Sequence, residues 1–173
     1  MTVTARGPAG PSLLVIGYGN DLRRDDGAGR VVADRVEALG LDGVTVRSVV
    51  QLVPELATDI AAADHVVFVD ASVAGPGDGP AVDEPEIVEV VAAPDHLGLA
   101  HHATPAGLLA LAGAVSQRRP RSTVISIPAD DLGIGAGLSP PTDRAATRAV
   151  ELVVALAGTQ VGGGYAARSS STT

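Results

Sequence analysis

Three groups of side chains in this sequence could act on a cation: the neighbours Asp25 and Asp26, the isolated Asp70, and the pair His101-His102. The two neighbouring aspartates lie in Gly17-Tyr18-Gly19-Asn20-Asp21-Leu22-Arg23-Arg24-Asp25-Asp26-Gly27-Ala28-Gly29, between an apolar run and a helix-like stretch. A glycine-rich turn in that position ordinarily cradles a phosphate on backbone N–H groups. Here carboxylates stand where the anion would sit. They repel phosphate and attract cations, so the turn suits a metal or a positively polarised group. Leu22 takes the place of the third glycine of the dinucleotide fingerprint, and the chain contains no lysine for a P-loop. The alternatives at this point are a nucleotide-binding regulatory module, which those mismatches oppose, and a purely structural use of both aspartates in capping the helix.

Asp70 ends the run His65-Val66-Val67-Phe68-Val69-Asp70. In an open α/β sheet, ligands bind beyond the carboxyl ends of the strands. Asp26 follows the first strand and Asp70 closes the third, so parallel neighbours would bring both acids to one rim. His65 begins its strand at the opposite rim and reads as a packing or surface residue. His96 lies in a loop, whereas His101 and His102 directly precede Ala103-Thr104-Pro105 and a helix start. Two carboxylates and an imidazole are donors for a borderline divalent ion such as Ni²⁺ or Zn²⁺.

The elements that must position these residues follow from hydrophobic periodicity. The expected order is a strand over Ser12–Ile16, a helix over Arg30–Glu37, a strand over Val44–Val50 and a helix over Glu55–Ala61, entered through Pro54. The strand His65–Asp70 follows, almost continuously apolar, as befits a central parallel strand. Glu86–Val91 reads as a strand with no helix before it. A parallel crossover needs a dozen or more residues and usually a helix, so this strand is expected to be antiparallel and at an edge. A helix from about Pro105 to Ser116, a strand over Ser122–Ile127 and a helix from Ser139-Pro140-Pro141 to about Leu156 complete the order. The fold class is therefore α/β: a three-layer sandwich with a mainly parallel, twisted five-stranded sheet, one antiparallel edge strand and helices on both faces. Residues 1–11 read as a flexible N-terminus, 12–158 as a single domain and 159–173 as a disordered Gly/Ser/Thr tail.

Composition narrows the function further. The chain has 173 residues, 46% of them hydrophobic, but only one Phe, two Tyr and no Trp. The core is aliphatic, and platforms for stacking bases are absent. A formal net charge of −8 disfavours nucleic acid and other polyanions as partners. Apolar runs stop short of the ~20 residues of a membrane span, and no hydrophobic signal core opens the chain. Without cysteine there is neither disulfide nor thiol nucleophile, and a cytoplasmic location is expected. No Ser–His–Asp set stands out; Ser72 follows Asp70 closely, with nothing else in support.

Three blocks resemble the hydrogenase maturation proteases, endopeptidases that trim the large subunit of nickel–iron hydrogenases. They are Gly17-x-Gly19-Asn20-x-Leu22-x-x-Asp25-Asp26-Gly27-x-Gly29, then Val67-Phe68-Val69-Asp70-Ala71, and the His101-His102-Ala103-Thr104-Pro105-Ala106-Gly107-Leu108-Leu109 approach to a helix. Gln51-Leu52-Val53-Pro54-Glu55-Leu56 and Gly137-Leu138-Ser139 fit more loosely, so the resemblance spans roughly Leu13 to Leu156. It implies Asp26, Asp70 and His101 as nickel-recognising ligands, with His102 as the alternative imidazole, and Asp26 and Asp70 as the catalytic carboxylates. The family often has Glu where Asp26 stands, one methylene longer. The implied reaction is removal of a C-terminal extension from a nickel-loaded large-subunit precursor, the metal being presented by the substrate and open to mimicry by Zn or Cd. The precursor is the implied partner. The other readings are a different metal-dependent hydrolase acting on a small molecule, and a non-catalytic chaperone or nucleotide-binding module. Specificity for the precursor is expected in the loops Ala74–Glu84 and Asp130–Gly137.

Overall fold

The fold is described from a computed structural model covering residues 12–73, 84–93 and 103–162. The strands are β1 (Leu13–Tyr18), β2 (Val44–Val49), β3 (His65–Val73), β4 (Glu86–Glu89) and β5 (Arg121–Ala129). The helices are α1 (Ala28–Ala38), α2 (Leu56–Ala62), α3 (Pro105–Ser116) and α4 (Pro140–Gly162), and a single 3-10 turn, Arg24–Gly27, leads into α1.

The strands form one sheet in the order β2-β1-β3-β5-β4. β1 pairs in parallel with β2 and β3, and β3 in parallel with β5. β4 lies antiparallel to β5 at the edge, with Glu86 opposite Ser126 and Glu89 opposite Thr123. The expected fold class and the expected antiparallel edge strand are both present.

Strand alternation sorts the core into two layers. Leu13, Val15, Val67, Val69, Ile125 and Ile127 face α1 and α4, packing on Val32, Val36, Ala145, Ala149 and Val153. Leu14, Ile16, Val66 and Phe68 face α2 and α3, packing on Leu56, Ile60, Leu108, Leu109 and Ala112. Both faces are thus dry along Leu13–Ile16 of β1 and Val66–Val69 of β3, which is why those stretches are apolar at every position. α3 starts where Thr104 accepts a 3.0 Å hydrogen bond from the Gly107 N–H, with Pro105 in the first turn. It stops at Gln117, which adopts φ +59°.

Several boundaries differ from expectation, four of them near the site or the chain end. β1 runs on to Tyr18, because Gly17 and Tyr18 still pair with Ser48 and Val49 of β2. α1 begins two residues earlier than Arg30, at Ala28 directly behind the 3-10 turn. β3 continues past Asp70 to Val73, held by β5 up to Val73 opposite Ala129. The last helix extends beyond residue 158 to Gly162. Gly158 costs such a helix only about 1 kcal/mol against alanine, too little to end it. The proposed tail boundary at 159 is corrected accordingly; residues 163–173, like 1–11, lie outside the described residues.

Candidate active site at the carboxyl rim

Strand order reverses between β1, whose chain moves on to β2, and β3, which lies on its other side. That is the switch point, where an α/β sheet opens a crevice at its carboxyl end. β1 is paired to β3 only as far as Gly17 opposite Val69. Asp70 is the first β3 residue beyond that pairing, so its outer neighbour is the crevice rather than a strand.

Glycines let the β1–α1 turn settle onto this rim. A Cβ on Gly29 would stand 2.2 Å from the Val69 carbonyl oxygen and 2.4 Å from that of Tyr18, so α1 packs on the strands backbone to backbone. Gly19 has φ +138°, and a Cβ there would stand 1.9 Å from the Asp26 carbonyl oxygen. The glycine pattern thus serves close approach, and it delivers Asp26 beside Asp70.

The adjacent aspartates have different surroundings. Asp25 is 0% exposed. Its carboxylate accepts the N–H groups of Asp130 at 3.0 Å, Asp131 at 2.7 Å and Ser139 at 2.6 Å, and the Ser139 hydroxyl at 2.7 Å. The Thr142 hydroxyl lies 2.9 Å from both Asp25 Oδ2 and the Pro128 carbonyl oxygen. Burial pushes the Asp25 carboxyl upward, but the Ser139 and Asp131 N–H groups and the two hydroxyls prevail and hold it below its ordinary value. Asp25 is an anchor for the β5–α4 connection. Asp25 is structural, but it does not cap its helix as the capping reading expected: it secures a loop distant in sequence.

Asp26 turns the other way, half-buried at the rim. Among the described residues, no group donates a hydrogen bond to its carboxylate and no arginine forms an ion pair with Asp26 or Asp70. Asp70 is also half-buried; its Oδ1 accepts the Ala71 N–H at 2.8 Å, and the Tyr18 hydroxyl donates to its carboxylate. Burial raises the Asp70 carboxyl above its ordinary value, and the nearby Asp26 charge adds to the rise, against the pull of the Tyr18 and Ala71 hydrogen bonds. Tyr18 is itself pushed far up, by burial and then by Asp70. Sequence reasoning passed over Tyr18, although it stands in the glycine motif two residues beyond Ile16.

Asp70 shares its strand face with Val66 and Phe68, the face covered by α2 and α3. α3 precedes β5 and runs counter to the parallel strands, so its first turn opens at the carboxyl rim on that side. His101 and His102 come directly before it, and both lie outside the described residues, as does His96. Among the described residues, no three His, Asp or Glu side chains gather as a metal site. His65 is a buried packing residue at the far rim, with Nε2 2.9 Å from the Thr123 hydroxyl. Burial and then Arg121 lower its pKa, keeping it neutral.

No protein-family model matches the sequence. No curated protein matches it either. Solved structures do. The hydrogenase 2 maturation peptidase of a Thaumarchaeota archaeon is 25% identical, with a TM-score of 0.60 over 85% of this chain and 98% of that one. This chain shares the fold of the hydrogenase maturation proteases. HybD from E. coli, a hydrogenase maturating endopeptidase, is 24% identical with a TM-score of 0.63 over 86% of this chain and 93% of its own. HycI of Thermococcus kodakarensis KOD1, a [NiFe] hydrogenase maturation protease, is 22% identical with a TM-score of 0.65 over 87% and 95%. In the maturation-protease fold described here, the two rim carboxylates come from the first two blocks of the sequence resemblance.

Proposed function

We propose that this chain is an endopeptidase of hydrogenase maturation, removing a C-terminal extension from a large-subunit precursor. The observation that carries the reading is the pair Asp26 and Asp70 at the switch point. They are half-buried, close enough for one to raise the other's pKa, and not neutralised by any arginine among the described residues. Two carboxylates so placed repel each other until a cation arrives. A nickel ion carried by the precursor is such a cation, and carboxylate oxygens are among the donors it accepts. His101, or His102 in its place, would complete the set from the start of α3. The nickel belongs to the substrate, and Zn or Cd would act as mimics.

The reaction needs an amide carbonyl made electrophilic and a proton delivered to the leaving nitrogen. Asp26, with no donor on its carboxylate among the described residues, is suited to bind the cation and take a proton from attacking water. Asp70, with its carboxyl raised by burial and by its neighbour, is suited to deliver the proton. Tyr18 and Ala71 fix its orientation. Work on a metalloprotein precursor before its assembly fits a cytoplasmic location, and no helix among the described residues is long and apolar enough to cross a membrane.

Purified chain mixed with nickel-loaded and nickel-free precursor, followed by intact-mass measurement of the large subunit, tests the proposal. A C-terminal peptide should be lost from the loaded form alone. Equal trimming of both forms, or of neither, counts against it. A metal-dependent hydrolase acting on small molecules would instead bind its own metal tightly without any precursor.

A further inference from the structure

The Asp25 anchor leaves something unexplained: what the connection it secures is held in place to present. Between β5 and α4 this connection makes a one-residue parallel bridge, Arg23 opposite Gly135, with the β1–α1 turn. The Gly135 N–H donates to the Leu22 carbonyl at 3.0 Å, and the Arg24 N–H donates to the Gly135 carbonyl at 3.1 Å. Arg24 sits at φ +45°, a left-handed conformation rare outside glycine, and its guanidinium holds Asp131 at 2.6 Å. Strain, a bridge and a buried carboxylate together immobilise this ledge.

One register step before the bridge, Leu22 and Ile134 occupy equivalent positions on the two segments. Leu22 is 70% exposed and Ile134 92% exposed. Single exposed aliphatic residues are ordinary. Two at matching positions, on a locked ledge and only four residues from Asp26, are a preformed apolar anchor point. Rigidity matters because a backbone already fixed loses little entropy on binding.

We propose that Leu22 and Ile134 form a specificity subsite that receives an aliphatic side chain of the precursor within about four residues of the scissile bond. The inference rests on the reading of Asp26 and Asp70 as the place of cleavage. Its geometry follows from the chain itself: four residues separate Leu22 from Asp26, a reach of at most about 14 Å, which an extended substrate strand covers in about four residues. A polypeptide laid across the rim with its scissile bond at the two carboxylates is therefore within reach of the ledge. An apolar side chain is what the ledge can desolvate, since Arg24 and Asp131 beside it are already paired to each other.

The test measures binding and cleavage separately, with the full-length chain and immobilised nickel-loaded large-subunit precursor from the same organism. Leu22→Ser and Ile134→Ser should each weaken binding about tenfold or more, and Ile134→Leu should restore it. KM should rise while kcat stays near wild type, because neither residue touches the reacting atoms. Thermal midpoints should not move, both side chains being exposed. Wild-type binding in both serine variants overturns the subsite, even if cleavage proceeds, and so does a wild-type chain with no affinity for the precursor. A wild-type dimer in sedimentation that the serine variants dissolve, with precursor binding unchanged, assigns the ledge to a second copy and also overturns it. Binding that depends on Leu22 and Ile134 without any trimming upholds the subsite while removing the protease reading.

Discussion

Asp25 and Asp26 are adjacent, chemically identical and assigned opposite tasks by orientation alone. The difference is measurable. Asp25→Asn replaces a carboxylate that only accepts with an amide whose NH₂ faces other donors. It should cost about 2–4 kcal/mol in urea denaturation. Asp26→Asn changes a group with no internal partner among the described residues, so stability should hold while trimming of the loaded precursor stops. A stable, fully active Asp26→Asn variant would remove Asp26 from the mechanism. Asp70→Asn should also stop trimming, but with the opposite effect on stability. The carboxyl of Asp70 is raised in the folded state, so ionisation at neutral pH opposes folding. The asparagine variant should therefore melt a few degrees higher at pH 7 and lose that advantage in acid, where the carboxyl is protonated folded or unfolded. Calorimetry at two pH values reads this directly.

At the scale of elements, the rim depends on how closely α1 approaches β1 and β3. Gly29→Ala sets a methyl carbon against two backbone carbonyls that cannot yield like a side chain. The expected loss is about 3 kcal/mol or more, with activity falling in step because Asp26 moves with the helix. A folded, active Gly29→Ala enzyme would show that the contact is dispensable. Periodicity made most of these elements readable. α3 has its expected span, Pro105–Ser116, because Thr104-Pro105 is a strong local start signal. The direction of β4 was legible because the chain before it had no helix to form a crossover. The extension of β3 past Asp70 was not, since Ala71, Ser72 and Val73 are held by partners some fifty residues away in sequence. The same is true of the site. Both carboxylates were visible as types at the ends of runs, but their separate orientations depend on Ser139, Thr142 and Tyr18. Ser139 looked like a helix start, Thr142 like part of that helix, and Tyr18 like one residue of the glycine-rich turn.

For the whole molecule, the sum of its titrating groups sets an asymmetric response to pH. His65 is held neutral when folded, so stability present above pH 6.5 should decline as the unfolded chain gains a proton there. Asp25 and Asp64 are both lowered, Asp64 chiefly by the Ser12 N–H, and their contribution should be lost below pH 3.8. Asp70 runs the other way and softens the decline. Melting temperature should thus fall in two stages on acidification, and His65→Gln should abolish the first; a single stage in the wild type would contradict the assignment. The direction of β4 has a further consequence for how such molecules diversify. β3 leaves the sheet at the carboxyl rim, and β4 re-enters there, Glu86 opposite Ser126, which is itself opposite Asp70. The stretch joining them begins and ends on one side of the scaffold and need never traverse it. Lengthening such a loop costs little, about 0.6 kcal/mol per doubling. Its two attachment points, Val73 and Glu86, are both fixed by pairing with β5, whatever the length of chain between them.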